Sequence, residues 1–293
     1  MSERPVEPEL TNARSERVAA VRALAGRSAR QRHGLFLVEG PQGVREAVRW
    51  TPRRVRDVYV TPAAAARHPE IEAEARAAGV RTHLAAPDVL DAMSPDAQGV
   101  LATVRIAAPA LADVLAPGPR LVAVLAAVRD PGNAGTVIRT ADAAGADAVV
   151  LARTSVDVHN PKVVRATAGS LLHLPVVTGL ALDEAVTALR GAGLAILAAD
   201  GGGALDLDDL LDAATAAPDL ARPTAWLFGN EARGLSAQEQ ALADAVVRVP
   251  VHGAAESLNL ATAAAVCLYA SARCQRRPGA RRAGAPTGAG AAG

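Results

Sequence analysis

Five short apolar runs dominate the second half of the chain: LVAVLA (121–126), AVVLA (148–152), LAILAA (194–199), TAWLF (224–228) and AVVRVP (245–250). Stretches of helical character lie between and after them, over 134–144, 161–170, 182–190, 236–243 and 257–272. Near-continuous apolar strands alternating with helices predict a parallel sheet covered on both faces. In such sheets ligands sit beyond the C-terminal ends of the strands, so the loops after these runs are where function is sought.

The first hundred residues alternate too, with shorter elements. Val18, Val21, Leu24 and Ala25 predict a helix over 15–29. LFLVEG, VRDVYV, VRTHLA and GVLATVRI read as strands, with helices over 43–50, 69–78 and after Pro87. This is a small α/β domain over 1–107. The stretch from Ala107, AAPALADVLAPGPR, holds three prolines and a glycine, and 108–120 reads as a linker. The second domain then covers 121–274, and the Gly/Ala/Pro/Arg-rich tail 275–293 is expected to be disordered.

Charge is segregated along the chain. Residues 1–108 carry 16 Arg against 13 acids, 109–272 carry 10 basic residues against 17 acids, and 273–293 carry five Arg and no acid. These are net charges of +3, −7 and +5 within an overall +1. Between 14 and 56, 11 arginines face three acids, a block suited to phosphate contact. Arg14, Arg17, Arg22, Arg27, Arg30 and Arg32 are the candidate RNA contacts from its first part. With only six Phe, Tyr and Trp among 293 residues, a base-stacking platform is nearly excluded, whereas 70 alanines must build much of the core.

No run of about 18 apolar residues occurs, and LNLATAAAVCLYASA is too short and carries Asn259, so no membrane span is expected. The polar, acidic start is not that of a signal peptide. Cys267 and Cys274 cannot make a disulfide framework, and the six histidines lack metal-ligand spacing. A cytoplasmic, metal-independent protein is the expectation.

Three strand-following loops carry polar residues in specific arrangements. In AVRDPGNAGTVIRTADAAGA, Pro131–Gly132–Asn133 turns the chain, Asn133 is a candidate N-cap, and Arg139 sits on an otherwise apolar helix. In LFGNEARGLS two glycines bracket Asn-Glu-Ala-Arg, as in a loop folded closely around a ligand. In VPVHGAAESLNLATAAA, Glu256, Ser257 and Asn259 open a helix, where simple capping is the plainer role. A nicotinamide or flavin site would need G-x-G-x-x-G in the first strand–helix turn, and DPGNAGTVIR lacks that spacing.

Taken in order, DPGNAGTVIRTADAAGA, NPKVVRATAGSLLHLPV, LFGNEARGLS and VPVHGAAESLNLATAAA resemble the signature motifs of the SpoU (TrmH-like) family of RNA ribose 2′-O-methyltransferases, within the SPOUT superfamily. The N-terminal segment from Asn12 is similar to the small L30e/L7Ae-like substrate-binding domain that precedes this catalytic domain in many members, closest to those acting on 23S ribosomal RNA. The resemblance implies a deep trefoil knot, a homodimer with an active site shared between chains, and S-adenosyl-L-methionine as cofactor. It implies a cofactor site formed largely by backbone at Leu197 and Ala198, at Leu227, Phe228, Gly229, Asn230 and Gly234, at Val249, Pro250 and Val251, and at Ser257, Leu258 and Asn259. It assigns catalysis to Arg139 with Asn133, Glu231, Ser257 and Asn259 in support. Family proposals make the arginine the base. A guanidinium does not readily give up its proton, so gripping the target phosphate and stabilising the alkoxide is the cheaper role, and the choice stays open. Lys162 and Arg165 fall in the matched intervening segment as candidate RNA contacts. His252 sits in an exposed loop. Transfer RNA as substrate, or a non-catalytic ribosome-associated RNA binder, are the alternatives; the second predicts decay of these motifs, and all five catalytic candidates are present.

Overall fold

In the computed structural model, residues 8–212 and 217–277 are described. The tail expectation therefore lies outside the described residues from position 278 onward.

Residues 35–105 form a four-stranded sheet of β1 (Leu35–Glu39), β2 (Val55–Val60), β3 (Arg81–Leu84) and β4 (Val100–Arg105), in the order β1-β4-β2-β3. β4 runs antiparallel to β1 and β2, while β2 and β3 are parallel. Residues 121–248 form a seven-stranded parallel sheet: β5 (Leu121–Leu125), β6 (Ala148–Leu151), β7 (Val176–Thr178), β8 (Ala195–Ala199), β9 (Leu205–Asp206), β10 (Thr224–Phe228) and β11 (Ala245–Arg248). Its order is β7-β6-β5-β10-β8-β11-β9. The five expected strands all form; β7 and β9, of three and two residues, are too short to show a period.

Alternate residues of β5 and β10 face opposite layers, as strand geometry requires. Leu121, Ala123, Leu125, Trp226 and Phe228 join a core with the helices Pro131–Ala144 and Leu260–Gln275. Val122, Val124, Ala225 and Leu227 join another beneath the helix Leu182–Gly191. Alanine and glycine let the layers come close: a Cβ on Gly135 would lie 2.4 Å from Ala166 Cβ. The indole N–H of Trp226 in this core is satisfied, with Nε1 donating to Ser271 Oγ at 2.9 Å.

Several boundaries differ from expectation for local reasons. The predicted 15–29 helix is two, Glu16–Ala23 and Arg27–His33, because Gly26 adopts an extended N-cap conformation between them. The helix expected over 161–170 stops at Ala166, ahead of positive φ at Ala168 and Gly169. The helix expected from 257 begins at Leu260 and runs to Gln275, whose amide donates to the Arg120 and Arg222 carbonyls at 2.9 Å each. Residues 275–277 thus belong with the folded unit rather than the tail. Nor is 108–120 a bare connector, since Leu111–Leu115 is helical and Val114 is buried against the second core.

The two sheets share one apolar core: Phe36, Val38 and Val60 cluster with Leu125, Val137, Val158 and Val163. Polar ties ring it. Arg30, expected to face RNA, is instead 3% exposed; it donates to the Leu24 and Ala25 carbonyls and to Asp157 Oδ2 at 2.7 Å. Arg165 is likewise drawn inward, pairing with Glu39 and, at 3.0 Å, with Asp96. His173 lies between Asp142 (2.8 Å) and Glu46 (3.0 Å), which belong to different sheets' domains. Burial would raise the Asp157 carboxyl, but hydrogen bonds from Arg30 and the His159 amide outweigh it and hold the group below its ordinary range.

His159 stacks on Phe36 at 4.7 Å, and burial pushes its imidazole down to about 4. The unfolded chain then takes up this proton first as pH falls, so its stabilising contribution is full above about pH 6.5 and is lost toward pH 4, by about 3 kcal/mol at most. Urea titrations at stepped pH should show this loss, and His159→Phe should flatten it. Arg30→Ala, which leaves Asp157 without its buried partner, should cost about 3 kcal/mol at pH 7 in the same assay.

Candidate active site at the C-terminal edge of the parallel sheet

The parallel register aligns Leu125 of β5 with Phe228 of β10 and Ala199 of β8, and Ala199 with Val247 of β11. The loops after all four strands therefore emerge at one edge.

The loop after β5 ends in a helix cap. Asp130, rather than Asn133, is the N-cap of Pro131–Ala144, and its Oδ1 accepts from the Asn133 amide at 2.7 Å. The signal was present in the sequence as an Asp directly before a proline at the first helical position. Freed from capping, Asn133 uses its side chain elsewhere: its Oδ1 accepts from Asn259 Nδ2 at 3.0 Å. Asn259 caps the last helix through Oδ1, which accepts from Ala261 and Thr262 amides. One side chain thus serves as cap and as tie between the first and last loops.

The loop after β10 is the third member. Gly229 is buried, and a Cβ there would lie 2.4–2.6 Å from the backbone of Gly234 and Leu235. Asn230 and Gly234 exchange backbone hydrogen bonds, closing the loop, with Gly234 at φ +65°. Asn230 Nδ2 donates to the Ala127 carbonyl at 3.0 Å, and the Glu231 carboxylate accepts from the amides of Asp130 (3.2 Å) and Arg129 (3.4 Å). Glu231 therefore holds the loop after β5 in place. Asp200, which the sequence reading missed, ties the loop after β10 to the end of β8, accepting from the Leu235 amide at 3.4 Å and from the Gly202 amide at 3.0 Å.

Leu197, Ala198, Leu227 and Phe228 are buried strand residues, so only their strands' ends reach the edge. From Val251 to Asn259 the chain is exposed, and among the described residues the segment 249–258 makes no backbone–backbone hydrogen bond. Val249, Pro250, Val251, Ser257 and Leu258 therefore present unengaged main-chain donors and acceptors between β11 and Asn259. Such groups can satisfy the edge of a planar heterocycle, so the site fits an adenine-containing cofactor held by backbone. Arg139 is exposed on Pro131–Ala144, outside this network and with no hydrogen bond or ion pair among the described residues. Lys162 and Arg14, Arg17, Arg22, Arg27 and Arg32 are exposed as well, and His252 is 83% exposed in its side chain. No group of three or more His, Cys, Asp or Glu placed to hold a metal occurs among the described residues.

The crowding at Gly229 makes a direct expectation. Gly229→Ala should lower stability by about 1–3 kcal/mol in urea unfolding, whereas Asn259→Ala should cost about 1 kcal/mol through the lost cap.

Comparison with known proteins agrees with this architecture. Residues 120–269 match the SpoU rRNA Methylase family, and residues 37–110 match the family RNA 2′-O ribose methyltransferase substrate binding. The chain is 32% identical over 267 residues to the 23S rRNA (guanosine(2553)-2′-O)-methyltransferase RlmP of Bacillus subtilis, covering 89% of this chain and 98% of the relative. It is 31% identical to the 23S rRNA (guanosine-2′-O-)-methyltransferase RlmB of Bordetella pertussis, over 81% and 96%. The crystal structure of the SpoU methyltransferase AviRb from Streptomyces viridochromogenes in complex with AdoMet superposes with a TM-score of 0.75 at 32% identity, covering 88% and 98%.

Proposed function

Because the chain belongs to the SpoU rRNA methylase family, we propose that it methylates a ribose 2′-hydroxyl of 23S ribosomal RNA from S-adenosylmethionine. The observation that carries the reading is the joining of three motif loops at one sheet edge, through Glu231 to the 129–130 amides and Asn259 to Asn133, beside the unengaged backbone of 249–258. The names of RlmP and RlmB and of the matching rRNA methylase family support ribosomal RNA as the substrate. Ribosomal RNA as substrate is the reason to place its work in the cytoplasm; separately, no described helix is long and apolar enough to cross a membrane.

When bound, S-adenosylmethionine supplies an electrophilic sulfonium methyl. The chain's task is to position a poor nucleophile against it. Backbone groups at Gly229, Asn230 and 249–258, with Ser257 among them, would hold the cofactor. Asn133, with its Oδ1 fixed by Asn259, keeps its Nδ2 for the ribose. Arg139, unpaired among the described residues, would grip the target phosphate and stabilise the 2′-oxygen as its bond to the methyl forms, the methyl–sulfur bond breaks and the hydroxyl proton passes to solvent.

Arg139 lies outside the chain's own loop network, which fits an active site completed by a second copy. Val266 and Tyr269 on Leu260–Gln275 are 41% and 52% exposed, and Val251 and Leu258 are also exposed. These apolar residues are the face on which a homodimer would form. The same reading takes the stretch from β10 through the last helix to form the family's deep trefoil knot. Its support is β10 and β11 flanking β8, with the last helix packed on β5, β8 and β10.

Calorimetry should detect S-adenosylmethionine binding, and 2′-O-methyl mapping of 23S rRNA incubated with the protein should reveal one new site. Arg139→Ala should abolish transfer while sparing cofactor affinity; full activity in that variant would remove Arg139 from the site. Light scattering should give a dimer that Val266→Asp/Tyr269→Asp converts to monomer with loss of transfer.

A further inference from the structure

The face of the four-stranded sheet away from the shared core is covered at one end by the helices Glu16–Ala23 and Pro87–Met93, whose Val18, Val21, Val89 and Leu90 pack on Leu37, Tyr59 and Leu101. At its other end the sheet is left open, and a cavity of about 660 Å³ forms there, lined by Leu35, Asp57, Tyr59 and Thr103 from the strands. This lies within the roughly 300–1,000 Å³ typical of ligand pockets.

Two independent features mark it as built for a ligand. The first is charge: Arg17, Arg53, Arg56, Arg81 and Arg105 line it against Glu16 and Asp57 alone. Among the described residues Arg56 pairs with Asp57, while Arg53, Arg81 and Arg105 have no carboxylate within 4 Å, and Arg17 contacts only the His83 ring. The second is an unsatisfied group on the sheet. Thr103 is 2% exposed, faces Leu37 and Asp57 across the ladder, and its hydroxyl has no hydrogen-bond partner. An orphaned buried hydroxyl is a standing cost unless a ligand completes it. Beside it the Tyr59 ring is buried and stacked on His83 at 5.2 Å.

We propose that this cavity binds one unpaired nucleotide of the RNA substrate, with its phosphates on Arg81, Arg105 and Arg53 and its base edge read by the Thr103 hydroxyl. Guanidinium forks match phosphate geometry, and a hydroxyl can donate to or accept from a base. A concave cavity admits a splayed-out nucleotide and excludes a duplex, whose sequence is in any case hidden in the deep A-form groove. The site is on a different sheet from the motif loops, so it would set which RNA is held rather than perform the transfer. The inference rests on RNA being the substrate, as read above.

The test is fluorescence anisotropy of the full-length protein with 3′-labelled single-stranded RNA octamers of A, U and C, and with a 12-base-pair RNA duplex, at several salt concentrations. Arg81→Ala/Arg105→Ala should weaken octamer binding about tenfold or more and lower the salt slope by about 1.4, while duplex binding stays unchanged. Thr103→Val, which replaces a hydroxyl by a methyl of similar size and keeps the melting temperature, should even out the preference among octamers without changing the slope. Wild-type octamer affinity and slope in the double arginine variant would overturn the proposal. So would competition by free UMP or AMP as effective as that of an octamer, since the occupant would then be a mononucleotide. These readouts need no methyl transfer: intact octamer binding with no S-adenosylmethionine affinity would sink the enzymatic reading alone.

Discussion

A parallel sheet ends every strand at one edge, and the loops that leave it carry backbone groups no ladder satisfies. In this protein side chains take over that duty, and all of them but Asp200 are motif residues. Glu231 accepts two amides of the loop after β5, Asn230 reaches the Ala127 carbonyl, Asp200 ties β8 to the Leu235 amide, and Asn259 joins the last helix to Asn133. Removing any one frees a loop rather than a single contact. The tight passage of Gly229 against Gly234 and Leu235 depends on this closure, because a displaced loop would no longer need a glycine there. Among the described residues the segment 249–258 is left without such ties, and its main chain stays open for a ligand.

The second constraint is the fusion of the two sheets. A basic N-terminal block suggests a surface given over to phosphate, yet the arginines divide by position. Arg30 is consumed at the junction by Asp157 and two carbonyls, and Arg165 by Glu39 and Asp96. Arg14, Arg17, Arg22, Arg27 and Arg32 stay outside. The packing of Phe36 and Val38 against Val158 and Val163 makes the N-terminal unit a rigid extension of the other, so RNA held by one is presented at a fixed offset to the other.

What the sequence made legible was what repeats or caps. The parallel strands were visible because burial on both faces leaves no polar position, and the loop residues because Asn, Asp and Gly have few other reasons to follow a buried strand. Invisible were features set by distant contact. Nothing local to Arg30 distinguishes it from Arg27 or Arg32; its burial is decided by Asp157, 127 positions away. Asn133 looked like a cap, and Asp130 took that role because a proline follows it directly. The helix within 108–120 follows from the packing of Val114 on the second core, which no periodicity over so few residues can display, whereas the break at Gly26 is a local cap whose glycine could have marked it.

The scarcity of aromatic residues ties these threads together. A protein that stacks bases must expose rings, and five of the six here are Phe36, Tyr59, Trp226 and Phe228, buried at 2% exposure or less, together with Tyr269 on the candidate dimer face. The sixth, Trp50, is 60% exposed but leans on His173 at the junction between sheets. Sequence preference must then come from hydrogen bonding and shape. On the N-terminal sheet that leaves the unpaired arginines around Thr103 as the place where charge, concavity and an unsatisfied hydroxyl coincide. An enzyme without stacking platforms can still discriminate among nucleotides there, because burial makes one unpaired hydroxyl count for as much as a ring would in a more open site.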